Sequence, residues 1–406
     1  MNRPAEKLEQ RNVDICIVGG LGRVGLPLGI SFARAGMNVM LYDIDREAAG
    51  VVASGKMPFQ DTGAEEALRE VLGKRLFLSS EKSCIGASRF VIIVIGTPVD
   101  EHLNPRLIAF KQLFSEISEY LRDEQHVILR STIFPGTTEW LYQYLRSKSR
   151  RTRVSFCPER IAEGKAMTEL VSLPQIVSSC DADGLQEVST LFSVLTRDIV
   201  VLQPKEAELA KLFTNASRYI QFAISNQFYQ IALHHGIDFY RVHEAMVHNY
   251  PRISGFAPAG LTAGPCLFKD TMQLAAFSNN TFFLGHSAML INEGLPNMIV
   301  QKLNEKYSLK DKVVGILGMA YKGDSDDARE SLSYKLKKIL EIEAMTVLCT
   351  DPFIGDKDFH ALGDVIVRSD VLILGAPHAQ YRELPIDHAA KIIVDVWNYW
   401  GRGGLF

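Results

Sequence analysis

Val13-Asp-Ile-Cys-Ile-Val-Gly-Gly20-Leu-Gly22-Arg23-Val24-Gly25 decides the fold of this 406-residue chain. A short β-rich run feeds directly into Gly20-x-Gly22-x-x-Gly25, and the following LPLGISFARAG has helical spacing that stops at Gly36. One glycine triplet is weak evidence. The signal becomes strong because a second strand-like run, Asn38 to Tyr42, ends on Asp43, about 20 residues past the glycines. Each residue has its own reason: Gly20 for a tight turn, Gly22 for backbone approach to a pyrophosphate, and Gly25 for close helix packing. Asp43 can accept from ribose hydroxyls and would repel a 2′-phosphate, which selects NAD over NADP.

Further runs extend the pattern: Phe90–Ile95 into Gly96-Thr97-Pro98, His126–Leu129 into Arg130-Ser131-Thr132, and Arg153–Cys157 into Pro158-Glu159-Arg160. Helix-like segments between them supply crossovers, so a parallel sheet is expected, with Thr97 and Thr132 at strand ends where a cofactor lies. Capping of the next helix explains either threonine equally well. Cys157, inside an apolar run, reads as packing.

From Lys205 to Gly236 the chain has helical periodicity without an internal proline or glycine, and one long helix is expected. Glu208, Lys211 and Asn215 fall on one face of its first turns. Read alone, they are a solvated stripe with an i,i+3 ion pair. Apolar residues on more than one side of this helix invite a subunit interface. The last hundred residues repeat the opening theme: Lys312–Gly318, a helix near Ser331–Glu343, Thr346–Thr350 ending at Asp351, then Val371–Gly375 and Ile392–Asp395. The whole is an α/β chain of two Rossmann-like, doubly wound domains joined by a long central helix. Its expected boundaries are 1–203 for NAD, 204–305 for a helical part that invites a subunit interface and 306–406 for a domain whose crevice could take a nucleotide.

Gly260-Leu-Thr-Ala-Gly-Pro-Cys-Leu-Phe-Lys-Asp270 sets one cysteine in a glycine- and proline-rich turn, with Lys269 and Asp270 within a helical turn of it. Most free cysteines are small buried hydrophobes, but Cys266 in that setting can serve as a thiolate nucleophile towards a carbonyl carbon.

Composition restricts the rest. Lys and Arg number 44 against 47 acidic residues, a net charge of −3, so no basic excess favours nucleic acid. Six cysteines without a C-x-x-C pair argue against a zinc site or a disulfide scaffold, and no metal is expected. The polar first ten residues lack an apolar core, and no run reaches the roughly 18 apolar residues of a membrane span. A soluble, cytoplasmic protein is expected.

Taken in order, the glycine fingerprint, GTP (96–98), ST with PGT (131–137), PER (158–160), E-x-x-K-x-x-x-N (208–215), GPC-x-x-KD (264–270) and G-x-A-Y-K-G with D-x-R-x-S (318–331) resemble the UDP-glucose/GDP-mannose dehydrogenase family. The resemblance runs from about Asp14 to Gly401. It implies an NAD-dependent four-electron oxidation of a sugar C6 alcohol to a carboxylate, with UDP-sugar as substrate and a homodimer built on the central helix. Position by position, it implies that Cys266 forms a thiohemiacetal and then a thioester. Lys211 and Asn215 would stabilise the oxyanions, Asp270 with a water would take the alcohol proton, and Glu159 would assist thioester hydrolysis. It also implies cofactor contacts from Gly20, Gly22, Arg23, Val24, Gly25, Asp43, Thr97, Thr132 and Arg329. Substrate contacts would come from Arg160 and Lys322, and from Arg252 of the neighbouring subunit. PER followed by Gly164, in place of PEF, is similar to members acting on UDP-N-acetylhexosamines (UDP-ManNAc or UDP-GlcNAc), while Ala263-Gly264-Pro265-Cys266 departs from the G-G-x-C of members acting on UDP-glucose. UDP-glucose oxidation and a non-catalytic NAD- and nucleotide-binding regulator are the alternatives.

Overall fold

A computed structural model describes residues 13–96, 107–261, 264–384, 386 and 390–401. The chain divides into two compact units, Met1–Phe213 and Thr214–Phe406, with the break inside the long helix Pro204–His234.

The first unit is built on an eight-stranded sheet: β1 (Val13–Val18), β2 (Val39–Tyr42), β3 (Leu76–Ser79), β4 (Ser88–Ile93), β5 (His126–Leu129), β6 (Arg153–Phe156), β7 (Gln175–Ser179) and β8 (Ile199–Val201), in the order β3-β2-β1-β4-β5-β6-β7-β8. Both faces of β1 are apolar: Ile15 and Ile17 enter one core layer, Cys16 and Val18 the other. A strand covered on both sides must read as a continuous hydrophobic run, and that is the quartile of sequence that reveals it. The parallel expectation holds from β3 through β6. It fails at β6 and β7, which run antiparallel with Ser155 opposite Ser179. The chain from 157 to 174 stays at the carboxyl end of the sheet, where the short helix Ala166–Ser172 buries Ala166 and Leu170, so β7 starts where β6 stopped.

The second unit holds a smaller sheet, β9 (Val313–Leu317), β10 (Thr346–Thr350), β11 (Val371–Leu374) and β12 (Ile392–Val394), all parallel in the order β10-β9-β11-β12. Its core is shared by Leu332, Leu336 and Leu340 of the helix Leu332–Glu343 and by Leu295, Ile299 and Leu303 of the helix Phe283–Tyr307. Pro296 sits inside the latter helix and is buried. No helix among the described residues is long and apolar enough to cross a membrane.

Candidate functional site

The glycine turn fits a dinucleotide. Gly19 has φ +82° and donates its N–H to Tyr42 O at 3.0 Å, which folds the turn over the end of β2. A Cβ on Gly25 would stand 2.5 Å from Gly19 O and 2.9 Å from Gly20 Cα, so helix Gly25–Arg34 meets the turn at backbone distance. Gly22 is exposed and a Cβ there would meet only Gly19 O at 3.7 Å, leaving open the space above a helix N-terminus in which a pyrophosphate is stabilised. Val24 is the N-cap of that helix, and the Arg23 guanidinium lies 5.2 Å from the Phe59 ring centroid. Asp43 accepts from Leu21 N at 3.0 Å and Asp45 N at 3.1 Å, which aims its carboxylate at the turn. Thr132 is half-buried just beyond β5. Thr97 lies outside the described residues.

Glu208 does not form the expected ion pair with Lys211. Its carboxylate is buried and accepts from Gly136 N at 2.5 Å, Thr138 N at 2.9 Å and Thr138 Oγ1 at 2.6 Å. Burial pushes its pKa up while those hydrogen bonds pull it down, and burial prevails. The reason is the PGT segment: Gly136, with φ +93°, starts helix Thr137–Ser147, and Glu208 closes the first N–H groups of that helix from another element. Lys211, one turn further along, is half-buried.

Glu159 is similarly committed. Its Oε2 accepts from Arg130 Nε at 2.8 Å and from Arg130 Nη2, and its Oε1 accepts from Arg160 N at 2.7 Å and Ile161 N at 3.0 Å. Arg130, buried beneath the turn, also donates to Cys157 O at 3.1 Å and Gln175 Oε1 at 3.0 Å. Arg160 donates through Nη2 to Pro174 O. A carboxylate holding four N–H donors orients a turn, and that positioning role is the one the geometry supports for Glu159.

In the second unit, Cys266 is the N-cap of helix Leu267–Phe277 and the one exposed thiol among the six. The partial positive charge of a helix N-terminus favours an anionic sulfur, the nucleophilic form. Of the others four are buried and Cys180 is half-buried, and burial pushes the thiols of Cys157, Cys180 and Cys349 up to about 12. Asp270, fully buried, donates its N–H to Cys266 O at 2.9 Å, which puts its carboxylate one turn along the same helix. Asn215 Nδ2 donates to Asp270 Oδ2 at 2.6 Å, and Lys269 Nζ lies 3.6 Å from Asp270 Oδ1. Three of the expected site residues, Cys266, Asp270 and Asn215, are therefore gathered. Gly264 takes φ +110°, and a Cβ there would stand 2.6 Å from the Tyr321 ring, so the cysteine turn and the Tyr321–Lys322 loop touch where a side chain cannot fit. Lys322 Nζ is 5.7 Å from the Tyr321 centroid. Arg329 is bound within its own loop, with Nε 2.9 Å from Asp327 Oδ1. Arg252 is exposed, its guanidinium 6.0 Å from the Tyr250 ring. Ala263 lies outside the described residues. Sequence reasoning passed over Arg130 and His378, since neither sits in a pattern that names its partner. Among the described residues no group of three His, Cys, Asp or Glu side chains is gathered that could hold a metal ion.

Comparison with known proteins extends this geometry. A UDP-N-acetyl-D-mannosamine dehydrogenase of Pyrococcus horikoshii is 29% identical over 398 residues, spanning 93% of this chain and 94% of the relative. The solved UDP-D-ManNAc dehydrogenase structure from that organism superposes with a TM-score of 0.88 at 27% identity, covering 95% and 96% of the two chains. A UDP-glucose dehydrogenase from Pyrobaculum islandicum gives the same TM-score at 25% identity, covering 98% and 96%. Residues 13–196 match the NAD binding domain, 205–293 the central domain and 315–402 the UDP binding domain of one family. With the glycine turn and the exposed helix-capping cysteine each inside its matching segment, the chain belongs to the UDP-glucose/GDP-mannose dehydrogenase family, whose members are NAD-dependent oxidoreductases.

Proposed function

We propose that this chain oxidises the C6 alcohol of a UDP-N-acetylhexosamine to the uronate in two successive steps. The carrying observation is the exposed Cys266 at a helix N-terminus, one turn from the buried Asp270 that Asn215 holds. The similarity to UDP-N-acetyl-D-mannosamine dehydrogenases supports the N-acetylhexosamine, with UDP-ManNAc first and UDP-GlcNAc beside it.

NAD would be held by the turn at Gly20, Gly22, Arg23, Val24 and Gly25 and by Asp43, with Thr97, Thr132 and Arg329 as further contacts, and would supply the hydride acceptor for each oxidation. Asp270, acting with a water, takes the alcohol proton as C6 loses its first hydride. The Cys266 sulfur then adds to the aldehyde carbon as the aldehyde oxygen takes up a proton, giving a thiohemiacetal that loses the second hydride from C6 and its hydroxyl proton to water to become a thioester. Water cleaves the thioester and frees the thiol and the carboxylate. Lys211 and Asn215 stabilise the negative oxygen that forms in each addition, as donors aimed at developing charge do. Glu159 contributes by fixing the 158–161 turn. Lys322 neutralises phosphate charge, and Arg160 contacts the sugar.

The proposal also assigns three domains, 1–203, 204–305 and 306–406, supported by the separate family matches. It assigns a cytoplasmic homodimer in which Arg252 reaches the neighbouring active site. The support is a row of exposed apolar residues on the long helix: Ile224, Phe228 and Ile231 are 40%, 42% and 51% accessible.

The deciding experiment is a panel of nucleotide sugars followed by NADH formation, with the uronate quantified. Two NADH per uronate from UDP-ManNAc or UDP-GlcNAc, and no uronate from Cys266→Ser, are expected. One NADH per sugar would refute the four-electron course, preference for UDP-glucose would replace the substrate, and absence of turnover would leave a binding protein.

A further inference from the structure

The two units begin alike. Gly318 at the end of β9 has φ +93° and donates to Thr350 O at 2.9 Å, as Gly19 does to Tyr42 O in the first unit. Asp351 follows β10 as Asp43 follows β2. In a dinucleotide fold the acid at that position accepts from ribose hydroxyls. Asp351 cannot do so, because its acceptors are taken. Oδ2 accepts from Met319 N at 2.7 Å, Ala320 N at 3.0 Å and His378 Nε2 at 3.1 Å, and Oδ1 accepts from Phe353 N at 2.8 Å and Ile354 N at 3.0 Å.

His378 is fully buried beyond the end of β11, its ring set between Phe353 and Tyr381 at centroid distances of 5.1 and 5.4 Å. Its Nδ1 accepts from Asp324 N at 2.9 Å, so the ring proton sits on Nε2 and points at Asp351. Asp324 returns a bond, Oδ1 accepting from Ala379 N at 2.8 Å, and holds φ +51° to do so. The loop from 319 to 324 is thus fastened at both ends, by Asp351 at Met319 and Ala320 and by His378 and Ala379 at Asp324. Tyr321 and Lys322 lie between the fastenings, and the Tyr321 ring covers Gly264 of the cysteine turn.

We propose that His378 is a positioning residue for nucleotide-sugar binding: through Asp324 it sets the Tyr321–Lys322 loop, and with it the Lys322 ammonium that meets the diphosphate. The inference rests on the proposed role of the second unit as the nucleotide-sugar site. Asp351 and His378 together convert a position that would take a ribose into an internal clasp.

Two near-isosteric substitutions separate the two ring nitrogens. His378→Asn places an amide oxygen where Nδ1 was and keeps the acceptor for Asp324; His378→Gln keeps a donor for Asp351 and loses that acceptor. In the full-length protein, UDP affinity by calorimetry and KM for the nucleotide sugar and for NAD are measured, with melting temperatures alongside. Expected is UDP affinity within about threefold of wild type for His378→Asn and a loss of about tenfold for His378→Gln, with the KM for NAD unchanged. Asp324→Ala, at an exposed position, reads the same fastening from outside the core and is expected to weaken UDP by a few-fold. Unchanged UDP affinity in His378→Gln and Asp324→Ala overturns the inference. So does loss of UDP and NAD affinity together in step with melting temperature. A wild-type protein that fails to bind UDP overturns the nucleotide-sugar role of this unit, and the inference with it.

Discussion

Glu159→Gln changes no shape and removes one charge, yet the structure assigns it a large cost. Four N–H groups converge on the Glu159 carboxylate, two from Arg130 on Oε2 and the backbone N–H groups of Arg160 and Ile161 on Oε1. A glutamine offers one carbonyl oxygen, so whichever way it turns, its NH2 faces two donors that have lost their acceptor. The Arg130 side chain is 1% accessible and that of Glu159 11%, so water does little to compensate. Hydrogen bonds to a charged group contribute about 1.5–3 kcal/mol each, and breaking one side of a buried pair costs about 3–5 kcal/mol, which sets the expected loss at about 3–5 kcal/mol. For a unit of this size that is a fall of roughly 10 °C in the melting transition. The double variant Arg130→Leu with Glu159→Leu leaves no orphaned charge and should be more stable than Glu159→Gln, while loss of the bonds to Cys157 O, Gln175 Oε1, Arg160 N and Ile161 N keeps it below wild type. Urea unfolding followed by circular dichroism measures all the variants, and intact-mass analysis after substrate addition looks for sugar bound to Cys266. A Glu159→Gln protein as stable as wild type that accumulates a thioester on Cys266 would refute the reasoning and return Glu159 to the role of a hydrolytic base.

Other outcomes are equally direct. His126 is buried, and desolvation lowers its pKa from 6.5 despite the pull of Glu187 at 3.0 Å. The unfolded chain then binds more protons than the folded one as pH falls below that value, so stability is complete above it and declines beneath it. His126→Asn should flatten the decline in urea midpoint between about pH 7 and 5, and an unaltered slope would assign it to other groups. Gly264→Ala forces φ +110° on an L-residue and drives a methyl into the Tyr321 ring. It should cut turnover by at least about tenfold and change the rate at which Cys266 reacts with a thiol reagent, and normal values for both would show that the turn can give way. Ile224→Asp with Phe228→Asp should halve the sedimenting mass; an unchanged mass moves the subunit contact elsewhere.

Local pattern revealed what local pattern controls. The strand, glycine turn and acid of both units, the long helix and the cysteine turn all have their cause within some 30 consecutive residues, and each was legible. What escaped depends on partners distant in sequence. Glu208 read as half of a surface ion pair because its acceptors' donors, Gly136 and Thr138, lie some 70 residues away. Arg130 looked like a strand terminus, and nothing in PER announces that its glutamate closes on that arginine. Helix Phe283–Tyr307, most of it within the stretch expected to be helical, keeps a buried Pro296 in its interior and shares a core with Leu332–Glu343. The reversal at β7 was illegible for the same reason: five residues, QIVSS, carry no mark of strand direction.

The clasp at Asp351 has a bearing on timing. Two glycine turns of similar geometry stand among the described residues; at Asp351 five donors occupy the carboxylate, whereas Asp43 accepts from Leu21 N and Asp45 N. On the proposed chemistry the NAD site at the Asp43 turn must be vacated and refilled between the two oxidations of one sugar. During that interval the half-oxidised aldehyde, the reactive species of the sequence, would be lost to solvent unless tethered. A sulfur that closes on it turns a race between escape and reloading into a wait, so on the proposed chemistry the release of NADH, rather than the hold on the sugar, sets throughput.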